Sequence, residues 1–124
     1  MMGSEGATRA TVAVCSRKTE KGYVVASFEE CTTAVIASIQ DKLMSRAVSL
    51  ASISSRPNLD KAARLRGESP TAVITSEIDP CSLVSLSAKG IEVRLVDDGV
   101  AVEIALQLYT DNEARLACDV MRPT

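Results

Sequence analysis

PTAVITSEIDPCSLVSLSAKGIEVRLVDDGVAVEIALQLYT, residues 70–110, decides the fold. TAVITS (71–76) is a continuous apolar run of strand length and reads as a strand buried on both faces. Asp79-Pro80 then supplies an N-cap and a proline at the first helical position, where the missing N–H has no intrahelical partner to lose. Lys89-Gly90 closes that helix, with a cation in its last turn and a glycine for the left-handed position beyond it. IEVRLV (91–96) alternates apolar with charged residues, the pattern of a strand near a sheet edge. The next helix carries Ala101, Ile104, Ala105 and Leu108 at i, i+3, i+4 and i+7, predicting that this stripe packs on the sheet. Strand, helix and strand in such short order imply a right-handed parallel crossover.

Upstream the pattern changes. ATVAVC (10–15) reads as a buried central strand, SRKTEKG (16–22) as a charged loop and Tyr23–Phe28 as extended chain. TTAVIASIQ (32–40) and LMSRAVSLAS (43–52) flank Asp41-Lys42 and predict an antiparallel hairpin. Asn58 is the expected N-cap of a short helix LDKAARLR that Gly67 stops. Residues 1–9 read as a disordered leader, 10–113 as one domain and 114–124 as a tail; EARLACDVM either extends the last helix or packs as a further segment. The sum is an α/β domain, a mixed sheet of roughly five strands with helices on its faces.

Bulk composition narrows the function. A chain of 124 residues supports one core without disulfide or metal staples. Aromatic residues are only 2%, so that core is built from Val, Ile, Leu and Ala. The net charge of −2 gives no electrostatic case for nucleic acid or an anionic membrane. Residues 1–70 hold ten basic and seven acidic side chains, and 71–124 hold four and nine, a mildly basic half followed by an acidic one. Neither a secretory signal nor an apolar run of spanning length is visible, and a cytoplasmic location is expected. The four cysteines, Cys15, Cys31, Cys81 and Cys118, form no CxxC pair and are expected as reduced thiols. Histidine is absent, which removes the usual base of serine and cysteine nucleophiles and every His-ligated metal site.

Two stretches carry a resemblance. VVASFEECTTAVIASIQD keeps Phe28 of a His-Phe-Gly-type motif, with Ser27 and Glu29 in the flanking positions. AVITSEIDPCSLVSLSAKGIEVRLV follows the form "apolar strand, Gly-X-Ile-Gly-Pro, helix, Gly-Ile-X-Val" at Ile78, Pro80, Gly90, Ile91 and Val93. With the opening strand ATVAVC and the helix GVAVEIALQLYTDNEA, the chain resembles the dinitrogenase iron–molybdenum cofactor biosynthesis family over about residues 10–113. The resemblance implies a ribonuclease-H-like three-layer fold with a five-stranded mixed sheet, order 3-2-1-4-5, strand 2 antiparallel, and no enzymatic activity. It also implies an iron–sulfur or iron–molybdenum-type cluster as the bound group and metallocluster donor or acceptor proteins as partners; a homo-oligomer is expected if the chain acts as an interaction module instead.

Within that frame Cys81 falls in the first helical turn, where free N–H groups favour a thiolate, and Cys31 falls just before a strand. In the family fold these two segments lie close together, so Cys31 and Cys81, with Cys15 as an adjunct, are the expected metal ligands, against a plain reading as small buried hydrophobes. Ser16 and Arg17, with Lys18, follow the first strand as an expected anion contact or a solvated loop. Phe28, Ser76 and Asp79 complete the expected cofactor-binding set. Glu29-Glu30 read as hard-metal ligands or as surface charge, and Cys81 alone as a redox thiol is a weaker reading. A nuclease needs converging carboxylates, and ATVAVC offers none. The remaining alternative is an interaction module that keeps the fold without a cofactor.

Overall fold

The computed structural model of this chain describes residues 11–39, 43–50 and 57–120. Its spine is β1 (Thr11–Thr19), in which Val12 to Ser16 are all buried. Alternation along the strand sends Val12 and Val14 into one core and Ala13 and Cys15 into the other, as expected for a strand covered on both faces. After β1 come β2 (Gly22–Val25), β3 (Thr33–Ser38), β4 (Leu43–Ser49), α1 (Pro57–Glu68), β5 (Ala72–Thr75), α2 (Pro80–Ser87), β6 (Glu92–Leu95), α3 (Val102–Thr110), β7 (Arg115–Leu116) and a single turn, α4 (Ala117–Val120). The sheet runs β4-β3-β1-β5-β6-β7, with β2 branching from β1. β1 is antiparallel to β2 and β3 and parallel to β5, and β5 is parallel to β6.

Among the described residues the sheet therefore has seven strands where roughly five are expected. One addition is β2. Gly22, at φ 121, completes a tight turn in which Thr19 Oγ1 donates to Gly22 O at 2.8 Å. This turn corrects the expected loop: Ser16, Arg17 and Lys18 are strand residues, facing Val25, Val24 and Tyr23 across the hairpin. Ser16 is buried there and donates through Oγ to Thr33 O at 3.1 Å, so it is not displayed to solvent. The other addition is β7, held where Arg94 Nη1 donates to Ala114 O at 2.7 Å. Residues 113–118 thus pack as a further segment, with Ala114 and Ala117 buried. The β3–β4 hairpin pairs Thr33 with Ser49 through to Ser38 with Leu43. Its expected tip, Asp41-Lys42, and the expected leader lie outside the described residues.

Helices α1 and α2 pack together on one face through Ala62, Leu65 and Leu86, and α3 covers the other. α1 runs through Gly67 to Glu68, and Ser69, at φ 52, takes the left-handed position instead of the expected glycine. Asn58 lies inside α1 and caps nothing on its own helix; its Nδ2 donates to Asp79 Oδ1 at 2.9 Å. α2 begins as expected, with Asp79 accepting from Ser82 N at 3.0 Å and Pro80 following. It ends with Gly90 at φ 77 and Ile91 N donating to Leu86 O at 3.2 Å, a Schellman closure.

The face of α3 is rotated from expectation. Val102, Ala105 and Leu106 are buried, whereas Ile104 is 56% exposed. Both stripes of this helix are apolar, so periodicity could not choose between them. Its entry chooses: Val25 N donates to Val100 O and Gly99 N to Val25 O, both at 2.8 Å, fixing where the helix starts. Among the described residues no helix is long and apolar enough to cross a membrane.

Candidate functional site

β5 and β6 end at Thr75 and Leu95, and the segments leaving them meet the β2–β3 connection, residues 26–32, along one edge of the sheet. Ligands of open α/β sheets gather at such an edge because several connections converge there without side chains filling the gap. The connections are laced by backbone. Phe28 N donates to Glu77 O at 2.8 Å, and Ser76 N donates to Ala26 O at 3.2 Å. Thr75 Oγ1, fully buried, donates to Ala26 O at 2.9 Å and lies 3.2 Å from Glu77 O. Phe28 is fully buried and acts as the plug that seats its loop.

Three adjoining clefts open on this edge. One of about 240 Å³ is lined by Ser27, Glu29, Asn58, Glu77, Ile78 and Asp79. A second, of about 260 Å³, shares Ser27, Glu29 and Glu77 and adds Glu30, Ser76 and Asp98. The largest, about 470 Å³, extends from Ser76, Glu77 and Ile78 to Asp97, Asp98 and Arg115. Glu77 lines all three. Carboxylates dominate the rim, so the local field favours cations and N–H donors over anions. Arg17 Nη2 offsets part of this from β1, 3.2 Å from Asp98 Oδ2, in an exposed pair that contributes little to stability. Burial pushes the Asp79 carboxyl up, but hydrogen bonds from Ser82, its own amide and Asn58 outweigh it and hold the group below its ordinary value.

Two of the expected metal ligands part company. Cys81 is exposed on α2 and lines none of these clefts. Cys31 is buried at 1% exposure, behind the loop rather than in a cleft, and its Sγ lies 3.3 Å from Phe28 O, to which it donates. Cys15 on β1 is buried in the same core cluster. Ser76 and Asp79 line clefts, Arg17 reaches the rim, and Ser16 and Phe28 lie beneath the surface. Glu29 and Glu30 are exposed rim residues.

Sequence reasoning missed Lys61. It is 5% exposed, and its Nζ donates to Phe28 O at 2.8 Å and Glu29 O at 2.6 Å, pinning the loop from below. A readable signal existed: Lys61, Ala62 and Leu65 share one face of α1, so a lysine stands on the helix's inward stripe. Lys61 also reaches the thiol pair electrostatically. The hydrogen bond from Cys15 lowers the Cys31 thiol below its ordinary value, burial opposes this, and the Lys61 ammonium assists. The same hydrogen bond, together with full burial, pushes the Cys15 thiol well up.

No protein-family model and no curated protein matches the sequence. Solved structures do match. The orange protein of Desulfovibrio gigas, in its apo form, superimposes with a TM-score of 0.76 at 18% identity, covering 88% of this chain and 93% of that one. A Methanocaldococcus jannaschii protein described as a candidate dinitrogenase gives 0.64 at 20% identity over 87% of this chain and 94% of the other. A Thermotoga protein described as a candidate NifB protein gives 0.66 at 16% identity over 86% and 92%. At these identities the likeness establishes the fold: a mixed α/β domain shared with small nitrogenase-related proteins.

Proposed function

We propose that this chain is a non-enzymatic domain of the dinitrogenase iron–molybdenum cofactor biosynthesis type that takes up an iron–sulfur or iron–molybdenum-type cluster as cargo on the cleft edge of its sheet. The observation that carries the reading is the convergence of three clefts on Glu77, where the loops leaving β5 and β6 meet the Phe28 loop, in a fold shared with the orange protein. The path β4-β3-β1-β5-β6-β7, with β2 as a branch, supports reading β4, β3, β1, β5 and β6 as a ribonuclease-H-like sheet of order 3-2-1-4-5. Among the described residues no three His, Cys, Asp or Glu side chains converge as a metal site. Cargo would accordingly be held by few direct bonds: Ser27, Ser76 and Asp79 line the clefts, and Cys81, an exposed thiol outside them, follows Asp79 by two residues. Weak direct ligation suits transfer to an acceptor protein. Anaerobic reconstitution with iron and sulfide tests this: a thiolate-to-iron absorption band is expected, weakened by Cys81→Ala. Unchanged iron stoichiometry in that variant removes Cys81 from the site.

The carboxylate rim favours a second reading, an interaction module without cofactor, because an anionic cluster meets Glu29, Glu77, Asp79, Asp97 and Asp98. Concentration-dependent mass with no metal uptake would support it, and tight cluster binding by a strict monomer would count against it.

A further inference from the structure

We propose that Cys15 and Cys31 form a built-in dithiol–disulfide site that ties the Phe28 loop to the central strand when oxidised. Both thiols lie in one core cluster with Phe28 and Ala34, at 0% and 1% exposure. They come from adjacent pieces of chain. Thr32 N, one residue past Cys31, donates to Ser16 O at 3.1 Å, one residue past Cys15. Cys15 O in turn accepts from Ala26 N at 3.0 Å, where the loop departs. The loop thus leaves β1 and returns to it, and both thiols lie buried in the one core cluster under its arch. A structural pair of small apolar residues needs no ammonium beside it. Here Lys61 Nζ is buried at the same spot, on the carbonyls of Phe28 and Glu29, and its charge favours the thiolate of Cys31.

The assigned oxidant is a hydroperoxide small enough to enter when the loop opens locally. The Cys31 thiolate attacks one peroxide oxygen, the O–O bond breaks, and Cys31 becomes a sulfenic acid as hydroxide leaves and is protonated to water. The Cys15 thiol then attacks the sulfenic sulfur, its proton leaving with the hydroxyl as a second water. Two thiols and one hydrogen peroxide yield one disulfide and two waters, so the balance closes without another reactant. The consequence is local. Phe28 O loses the Cys31 S–H donor and retains Lys61, and the loop bearing cleft residues Ser27, Glu29 and Glu30 is covalently fixed to β1. A reduced chain has a loop that can open; an oxidised chain has one that cannot. This rests on neither reading of the cleft's ligand.

The test uses the full chain carrying C81S/C118S, which removes both exposed thiols and leaves the buried pair intact. After hydrogen peroxide treatment of the folded protein and quenching, alkylation in denaturant should find neither remaining thiol, and peptide mapping should find Cys15 joined to Cys31. Dithiothreitol should restore both. Amide exchange of residues 27–31 should slow at least several-fold in the oxidised form. Both thiols remaining alkylatable, oxidation stopping at sulfinic acid on one sulfur, or a disulfide joining two chains would each overturn the proposal. A Cys31→Ala chain that folds and still loses Cys15 to peroxide would overturn the assignment of Cys31 as the attacking thiol.

Discussion

Replacing Lys61 by methionine isolates what the buried ammonium contributes. Methionine fills nearly the same volume on the inward face of α1, which also carries Ala62 and Leu65, so packing there is little disturbed. What disappears is the donor to Phe28 O and Glu29 O. Phe28 O keeps its weak Cys31 S–H contact, and Glu29, on an exposed residue, can turn to water. The loss is therefore nearer one orphaned carbonyl than two, about 1–3 kcal/mol. Removing a buried charge returns part of that cost, since desolvation of the ammonium no longer opposes folding. A net destabilisation of about 1–2 kcal/mol is expected, read as a lowered urea midpoint at unchanged slope. Amide exchange should localise the effect, with Phe28 and Cys31 losing protection before the β1–β3 ladder does. A K61M chain as stable as the parent, or more stable, would refute the reasoning, because desolvation would then exceed the two hydrogen bonds.

Two further outcomes follow from the cleft and from α3. The folded-state pKa of Asp79 is depressed, so its contribution is present above the unfolded value near 3.9 and is lost as pH falls through the lower folded value. The stability gap between parent and Asp79→Asn should accordingly be widest near neutrality and close in acid; a gap independent of pH would refute the assignment. On α3, Ile104→Glu should change stability by less than about 0.5 kcal/mol, whereas Ala105→Glu, which buries a charge, should cost more than about 3 kcal/mol or abolish folding. Equal effects in thermal melts would return the helix to the Ile104 face.

What could be read in advance was local. Asp79, Pro80 and Gly90 act within one turn of where they stand, so their identities state the ends of α2 without knowledge of the fold. The face of α3 was not readable, because Val102, Ile104, Ala105 and Leu106 are all apolar and only the distant Val25 backbone decides among them. Ser16 to Lys18 looked like a loop because their strand partner, β2, is four residues long and carries little signal of its own. The company Cys31 keeps is not legible for a related reason. Cys81 has the better local context for a thiolate, whereas burial and the return of the loop to β1 place Cys31 in one core cluster with Cys15. Lys61 escaped because its partners are backbone carbonyls more than thirty residues away, and a carbonyl has no letter in the sequence.

The branching of β1 has a temporal consequence. Its pairings with β2 and β3, and that of β3 with β4, join strands close in sequence, and all four strands are complete by Ser49. Its pairing with β5, by contrast, joins Val12 to Ala72 and must wait for the whole of α1 to be made. During synthesis these four antiparallel strands can therefore assemble first, presenting one open edge of β1 as a template for β5. That edge is apolar on both faces, with Val12, Ala13 and Val14 in sequence. Until β5 arrives, the nascent chain exposes an unpaired apolar edge open to pairing with a second copy of itself, a hazard confined to the interval between residue 50 and residue 75.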